Sequence, residues 1–230
     1  GAAVNVSMVG FDDGTETNRQ LDTHPIEHIN PDLTLACDLT QAKHLRENEG
    51  LAFIGTQKGG QFDITETQAQ VMLKQTGNPN GRPNSDVIKP WINGLDITRG
   101  PQHMWIIDFG INMTEEQAAK YETPYEYLAR VVKNVRLEVN SEERTAATWW
   151  LYQRPRPEMR QALSGLGRYI VTPRVSKHRV FIFVNSDVIP DSATVPFARS
   201  DDYFFGVLHS RPHELWALRL GTALEDRPRY

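Results

Sequence analysis

Strand-like and helix-like stretches follow one another along these 230 residues with no regular βαβ alternation, and this absence limits the fold most. A doubly wound parallel sheet requires that alternation, so the expected class is α+β, with mixed antiparallel strands and short helices. Leu51–Gly55 and Gln61–Ile64 read as strands around a Lys58-Gly59-Gly60 turn. Thr65 with Gln68 three residues on is a capping-box pattern, and Ala69, Met72 and Leu73 follow on one helical face. The breaker-rich stretch Gly77–Asn84 ends that helix. Val87–Ile92 and Met104–Phe109 read as strands, and Asn93-Gly94 after the first is a hairpin-type dipeptide.

The second half repeats these signals. Thr114 with Gln117 is another capping box, and Thr123-Pro124 reads as a helix start with Pro at its first position. Tyr125, Leu128, Val131, Val132 and Val135 then form a stripe at helical spacing, expected to face the core. A short helix over Glu158–Leu163 closes at Gly165, and strands are expected at Tyr169–Val171 and Val180–Val184. Asp202–Leu208 and His213–Leu220 read as helices split at Ser210-Arg211-Pro212. Trp149, Trp150 and the run Tyr203-Phe204-Phe205 are expected in the core.

Both ends suggest a fragment of a larger multidomain protein. Val4–Val9 alternates at strand period before Asp12-Asp13-Gly14, a strand with no lead-in, and Asp226–Tyr230 is a polar exit. Residues 15–50 are polar and loop-rich, with a short helix expected near 41–48. No run of about 18 apolar residues exists to cross a membrane. Neither is a secretory signal expected, and the lone Cys37 suits a reducing, cytoplasmic setting.

The charge is unevenly placed. Residues 130–179 hold eleven Lys/Arg against four acids, whereas the whole chain carries a net charge of −4. Trp149, Trp150, Tyr152 and Tyr169 are interleaved with these cations, and the segment ends in Arg174, Lys177, His178 and Arg179. Positive charge attracts phosphates whatever the sequence, while Arg forks can read base edges. A solvated face can carry the same charge run. A pI near 6.0 argues against coating nucleic acid indiscriminately and leaves room for a partner met on one face.

Familiar catalytic patterns are missing from the sequence: there is no Gly-rich phosphate loop, no nucleophile elbow and no helical His-Glu-x-x-His. His24 and His28 have a zinc-compatible spacing, but Pro25 lies between them and no third ligand is near, so no metal site is assigned. Asp108 has the position of a buried nuclease acid but lacks a second acid and a Lys at workable spacing. Asp201 reads as a helix cap.

A family resemblance emerges from the motifs in combination. Asn93-Gly94-x-Asp96-Ile97 followed by Trp105–Phe109 resembles a paired signature found after the catalytic domain of large bacterial DNA methyltransferases. Tyr125-x-Tyr127, Val131-x-Lys133, Trp149-Trp150, Arg154-Pro155-Arg156-Pro157, Gly165-Leu166 and Tyr169-Ile170 continue it. Thr172–Arg179 and Phe205-Gly206-Val207-Leu208-x-Ser210 complete it. From about residue 50 to 222 the chain is similar to the target recognition region of MmeI-like (type IIG/IIL restriction–modification) adenine-N6 DNA methyltransferases.

That resemblance implies the last strand or strands of a methyltransferase core at 1–14, a DNA target recognition domain at 15–222 and an exit linker at 223–230. It implies double-stranded DNA and the upstream methyltransferase domain as partners, with S-adenosylmethionine serving the parent protein only. The family's cofactor motif and its Asn-Pro-Pro-aromatic motif are both missing here, so no cofactor and no catalytic residue are expected in this chain. Base reading would fall to Arg174, Lys177, His178 and Arg179 around a strand pair, and phosphate contacts to Lys58, Arg154, Arg156 and Arg168. If Ser176–Val180 continues as a strand, Lys177 and Arg179 share a face and His178 points away. Glycine beside Lys58 would let a phosphate approach, though a turn needing positive φ explains it equally well. Two other classes stay open: a stand-alone metal-dependent nuclease, and a protein-interaction module whose binding ignores salt and DNA.

Overall fold

A computed structural model describes residues 7–31, 33–35, 38, 40, 42–139, 147–224 and 227–230. The chain divides into two units, Gly1–Leu45 and Arg46–Tyr230. The first contains a short antiparallel hairpin, β1 (Gln20–Leu21) with β2 (His24–Pro25). Most of the strand expected at 4–9 lies outside the described residues, and 7–14 form no strand. The helix expected near 41–48 is a single 3₁₀ turn at Arg46–Asn48.

In the second unit, β3 (Asp63–Ile64), β5 (Trp105–Ile107), β4 (Ile88–Ile92) and β8 (Ile189–Pro190) form one sheet in that order, antiparallel except for the β4–β8 pair. A second, antiparallel sheet runs β7 (Ile182–Asn185), β6 (Arg168–Pro173), β9 (Thr194–Phe197). The α+β expectation holds.

Strand period places the cores. Tyr169 and Val171 of β6 pack with Met159 and Leu163 of α6 (Pro157–Leu163). Ile170 points the other way, to Phe181, Val195, Phe197 and Leu208. The first sheet buries Ile64, Ile88, Ile106 and Ile107 beneath α1 (Glu66–Leu73) and α4 (Glu122–Leu128). Trp149, Trp150 and Tyr152 join that cluster, as expected for the tryptophans.

Local capping explains several boundaries. Thr65 and Thr114 close reciprocal capping boxes at the starts of α1 and α3 (Glu115–Ala118). Asn93 does the same with Asp96 for α2 (Gly94–Arg99), so Asn93-Gly94 opens a helix and does not turn a hairpin. Pro124 sits at the third position of α4, two residues further in than Thr123-Pro124 suggested, because the helix begins at Glu122. Leu51–Gly55 does not pair across the Lys-Gly-Gly turn. It runs against β9 instead, through Phe53 N to Pro196 O at 3.0 Å and Gly55 N to Thr194 O at 3.1 Å.

The apolar stripe over 125–135 breaks in phase. A π turn at Ala129–Lys133 joins α4 to α5 (Asn134–Val139) and rotates everything after it. Leu128 and Val132 remain buried, but Val135 is 56% exposed and Arg136 takes the inward position at 2%. The tail holds α7 (Asp202–Leu208) and α8 (Arg211–Leu220), followed by an antiparallel ladder of β10 (Thr222–Leu224) with β11 (Arg227–Arg229). Tyr203 is 81% exposed, against expectation, since only Phe204 and Phe205 of that run face the core. Residues 227–230 are no loose linker: Val175 bridges Arg229, and Tyr230 packs on Phe181 and Phe197. Among the described residues no helix is long and apolar enough to cross a membrane.

Candidate nucleic-acid interface

Much of the cationic segment is spent inside the fold. The Arg136 guanidinium donates to five carbonyls, those of Lys58, Gly59, Thr148, Trp149 and Leu151, at 2.5–3.4 Å. It also lies over Phe62, and burial alone brings its pKa down to about 10. Arg160 grips Asp108 with both ends of its fork, at 2.7 and 3.1 Å, and Asp108 also accepts from Gly110 N. That pairing accounts for the burial of Asp108 without a catalytic role. Lys133 meets Glu115 at 3.5 Å, and Arg130 lies over Tyr127. Arg144 lies outside the described residues.

Two of the eight anticipated DNA contacts are held by partners within the protein. Arg168 pairs with Asp202 at 2.8 Å, donates to Ser200 O, and stacks 3.8 Å from the Phe183 ring centre. Arg179 lies 4.7 Å over the Tyr230 ring, with its Nε and Nη2 buried and unpaired. The strand expected over Ser176–Val180 does not form, so Lys177 and Arg179 do not share a strand face. The β6–β7 ladder ends at Val171–Ile182, and beyond it Arg174–Phe181 loops out. Its first residues bond instead to the C-terminal strand: Tyr230 N donates to Arg174 O, and Ser176 N to Pro228 O. Thr172 Oγ1 holds the loop's far end through Val180 O at 2.8 Å. The chain bends at Lys177 and His178, which are exposed.

Lys58 is intermediate. It ion-pairs with Asp63 and lies 4.3 Å over Trp91, on a turn in which Gly59 has φ +66°. A Cβ at Gly59 would come within 2.8 Å of Gln153, so close packing as well as backbone conformation calls for glycine there.

What remains is a group of like charges with little opposition. Arg154 is exposed beside a backbone bridge to Gln57, and Arg156 caps α6 from the left-handed region at φ +57°. Burial first, and then the nearby charges of Arg154 and Arg174, lowers the Arg156 pKa, with only Glu158 acting the other way. Arg154 and Arg174 thus each lie near enough to Arg156 for their charges to reach it. Arg154 and Arg156 line a cleft of about 1120 Å³ together with Trp150 and Glu158. Arg174 lines a second, of about 770 Å³, with Lys58, Asp191 and Arg229. Sequence reading missed Arg229, because only the β11 pairing with Val175 brings it beside Arg174. Among the described residues no group of three or more His, Cys, Asp or Glu is placed to hold a metal ion.

No family model and no characterised protein matches the chain. A solved structure does: the Type IIL restriction-modification enzyme MmeI in complex with DNA, with a TM-score of 0.62 at 19% identity. The chain has the fold of part of that enzyme. The match covers 90% of this chain and 28% of that one, so the chain spans under a third of the enzyme's length. At this identity the likeness is one of fold, and the function has to be argued from the surface.

Proposed function

We propose that this chain is the DNA target recognition module of an adenine-N6 DNA methyltransferase of the restriction–modification type. The observation that carries the reading is Arg156, on which the charges of Arg154 and Arg174 both act and against which only Glu158 acts the other way. Such a group is relieved by an anion, and a duplex offers a row of phosphates at fixed spacing. Next to it, the exposed Lys177-His178 bend lies at the end of a strand pair, where a loop can enter a groove. Arg174, Lys177 and His178 would then meet base edges, while Arg154 and Arg156 hold the backbone. Lys58, on its aromatic platform, is a further phosphate contact once its bond to Asp63 is exchanged. The fold it shares with part of MmeI, which was solved with DNA, supports the same reading.

Methyl transfer belongs in this reading to a separate domain of a longer parent, which also binds S-adenosylmethionine. The isolated chain is expected neither to bind that cofactor nor to methylate DNA. The direct test is fluorescence anisotropy of a labelled duplex across a salt series. Neutralising three or four phosphates gives a slope of about −3 in log affinity against log salt. A slope of zero would remove DNA from the proposal.

A further inference from the structure

We propose that Tyr230 is a positioning residue for Arg179, and that the C-terminal strand sets the conformation of the Arg174–Phe181 loop. This rests on the DNA-reading proposal for its consequence, though not for the contact itself. The backbone of 228–230 holds the near side of the loop by two hydrogen bonds that together make the Val175–Arg229 bridge: Arg174 O accepts from Tyr230 N at 2.9 Å, and Ser176 N donates to Pro228 O at 3.3 Å. The Tyr230 ring then forms the bed on which the Arg179 guanidinium lies, 4.7 Å from its centre. Gly221 closes the other side, where a Cβ would stand 3.6 Å from Arg179 Nη2.

Tyr230 is itself fixed. Its ring sits edge-on to Phe181 and Phe197 at 5.9 and 5.5 Å. Its hydroxyl meets His213 Nε2 at 2.8 Å, and His213 Nδ1 meets Leu208 O at 2.8 Å. A carbonyl only accepts, so Nδ1 carries the proton and Nε2 accepts from the tyrosine hydroxyl. The chain Leu208–His213–Tyr230–Arg179 thus transmits the position of α7 and α8 to the loop. Arg179 Nε and Nη2 have no acceptor among the described residues. A half-buried guanidinium held by stacking, with Nε and Nη2 buried and unpaired, is poised to take an acceptor from outside, such as a guanine edge, after a small movement of the loop.

The test has two arms on the full chain. Hydrogen exchange of residues 174–181 is measured without DNA in the wild type, Tyr230→Ala, Tyr230→Phe and Phe204→Ala. The last loosens the same aromatic cluster, through Phe197, without touching Arg179. Tyr230→Ala is expected to speed exchange in the loop about tenfold, while Tyr230→Phe and Phe204→Ala leave it protected. A protected loop in Tyr230→Ala, or equal loosening in Phe204→Ala, overturns the proposal. The second arm selects bound sequences from a randomised duplex library. Tyr230→Ala and Arg179→Ala are expected to relax the same base position with the salt slope unchanged. If the loop loosens but both variants select the wild-type sequence, Arg179 reads no base and the positioning role is overturned. Loss of salt dependence in the wild type would instead sink the DNA reading, and the exchange arm would still judge the contact.

Discussion

Arg136 and Arg154 belong to one cationic stretch of sequence and serve opposite ends. The first is enclosed by backbone carbonyls and ties three segments together. The second stands on the surface near Arg156, with no acid paired to it among the described residues. A guanidinium surrounded by acceptors is finished chemistry, because its donors have no capacity left for a ligand. One surrounded by like charge is unfinished, and a polyanion completes it. The net charge of a segment does not distinguish the two; the partners of each side chain do.

The contrast predicts a graded set of outcomes. Arg136→Met is expected to destabilise the domain by about 3–5 kcal/mol, since it strands buried carbonyls without partners. Urea unfolding checks this, and a loss under about 1 kcal/mol would mean that water replaces the guanidinium. Asp108→Asn breaks the fork with Arg160 and is expected to lose about 2 kcal/mol, with coupling to Arg160→Gln in a double-mutant cycle. Additive losses would place Arg160 with the surface cations. Arg154→Ala and Arg156→Ala should leave stability within about 0.5 kcal/mol. Each should instead reduce the salt slope of DNA affinity by roughly one unit. An unaltered slope would return both residues to a merely solvated face.

The smallest effect concerns pH. Burial, followed by the charges of Arg179 and His209, holds the His213 pKa below its ordinary 6.5, against the pull of Leu208 O. The unfolded chain therefore takes up the proton first as pH falls. Stability is full above about 6.5 and declines as pH drops from there through the lowered folded value. Unfolding midpoints at pH 7.5 and 5.5 should differ in the wild type and differ less in His213→Phe. Equal pH dependence in both would assign the slope to other groups.

The sequence disclosed what is local. Capping boxes at Thr65 and Thr114 need only a side chain and an amide three residues away, and both formed. Asn93-Gly94 carried two local meanings, and Asp96 decided for the helix. The phase of the 125–135 stripe was hidden because a π turn inserts a residue without a composition signal. Of the candidate site, Arg156 lies within reach of the charges of Arg154 and Arg174, and Lys177 and His178 are exposed. Arg179 and Arg168 could not be placed, since Tyr230 and Asp202 that hold them lie far along the chain. Arg229 was missed for the same reason.

The arrangement around Arg136 also bears on time. Its acceptors come from residues 58–59 and 148–151, so its bonds form only when both segments have closed around α5. Interactions that assemble after the folding barrier leave the folding rate nearly untouched and slow escape from the native state. Removing this side chain should then appear chiefly as faster unfolding in a chevron, with the refolding limb in place. This buried arginine would act as a kinetic latch, lengthening the lifetime of the surface on which the other arginines stand.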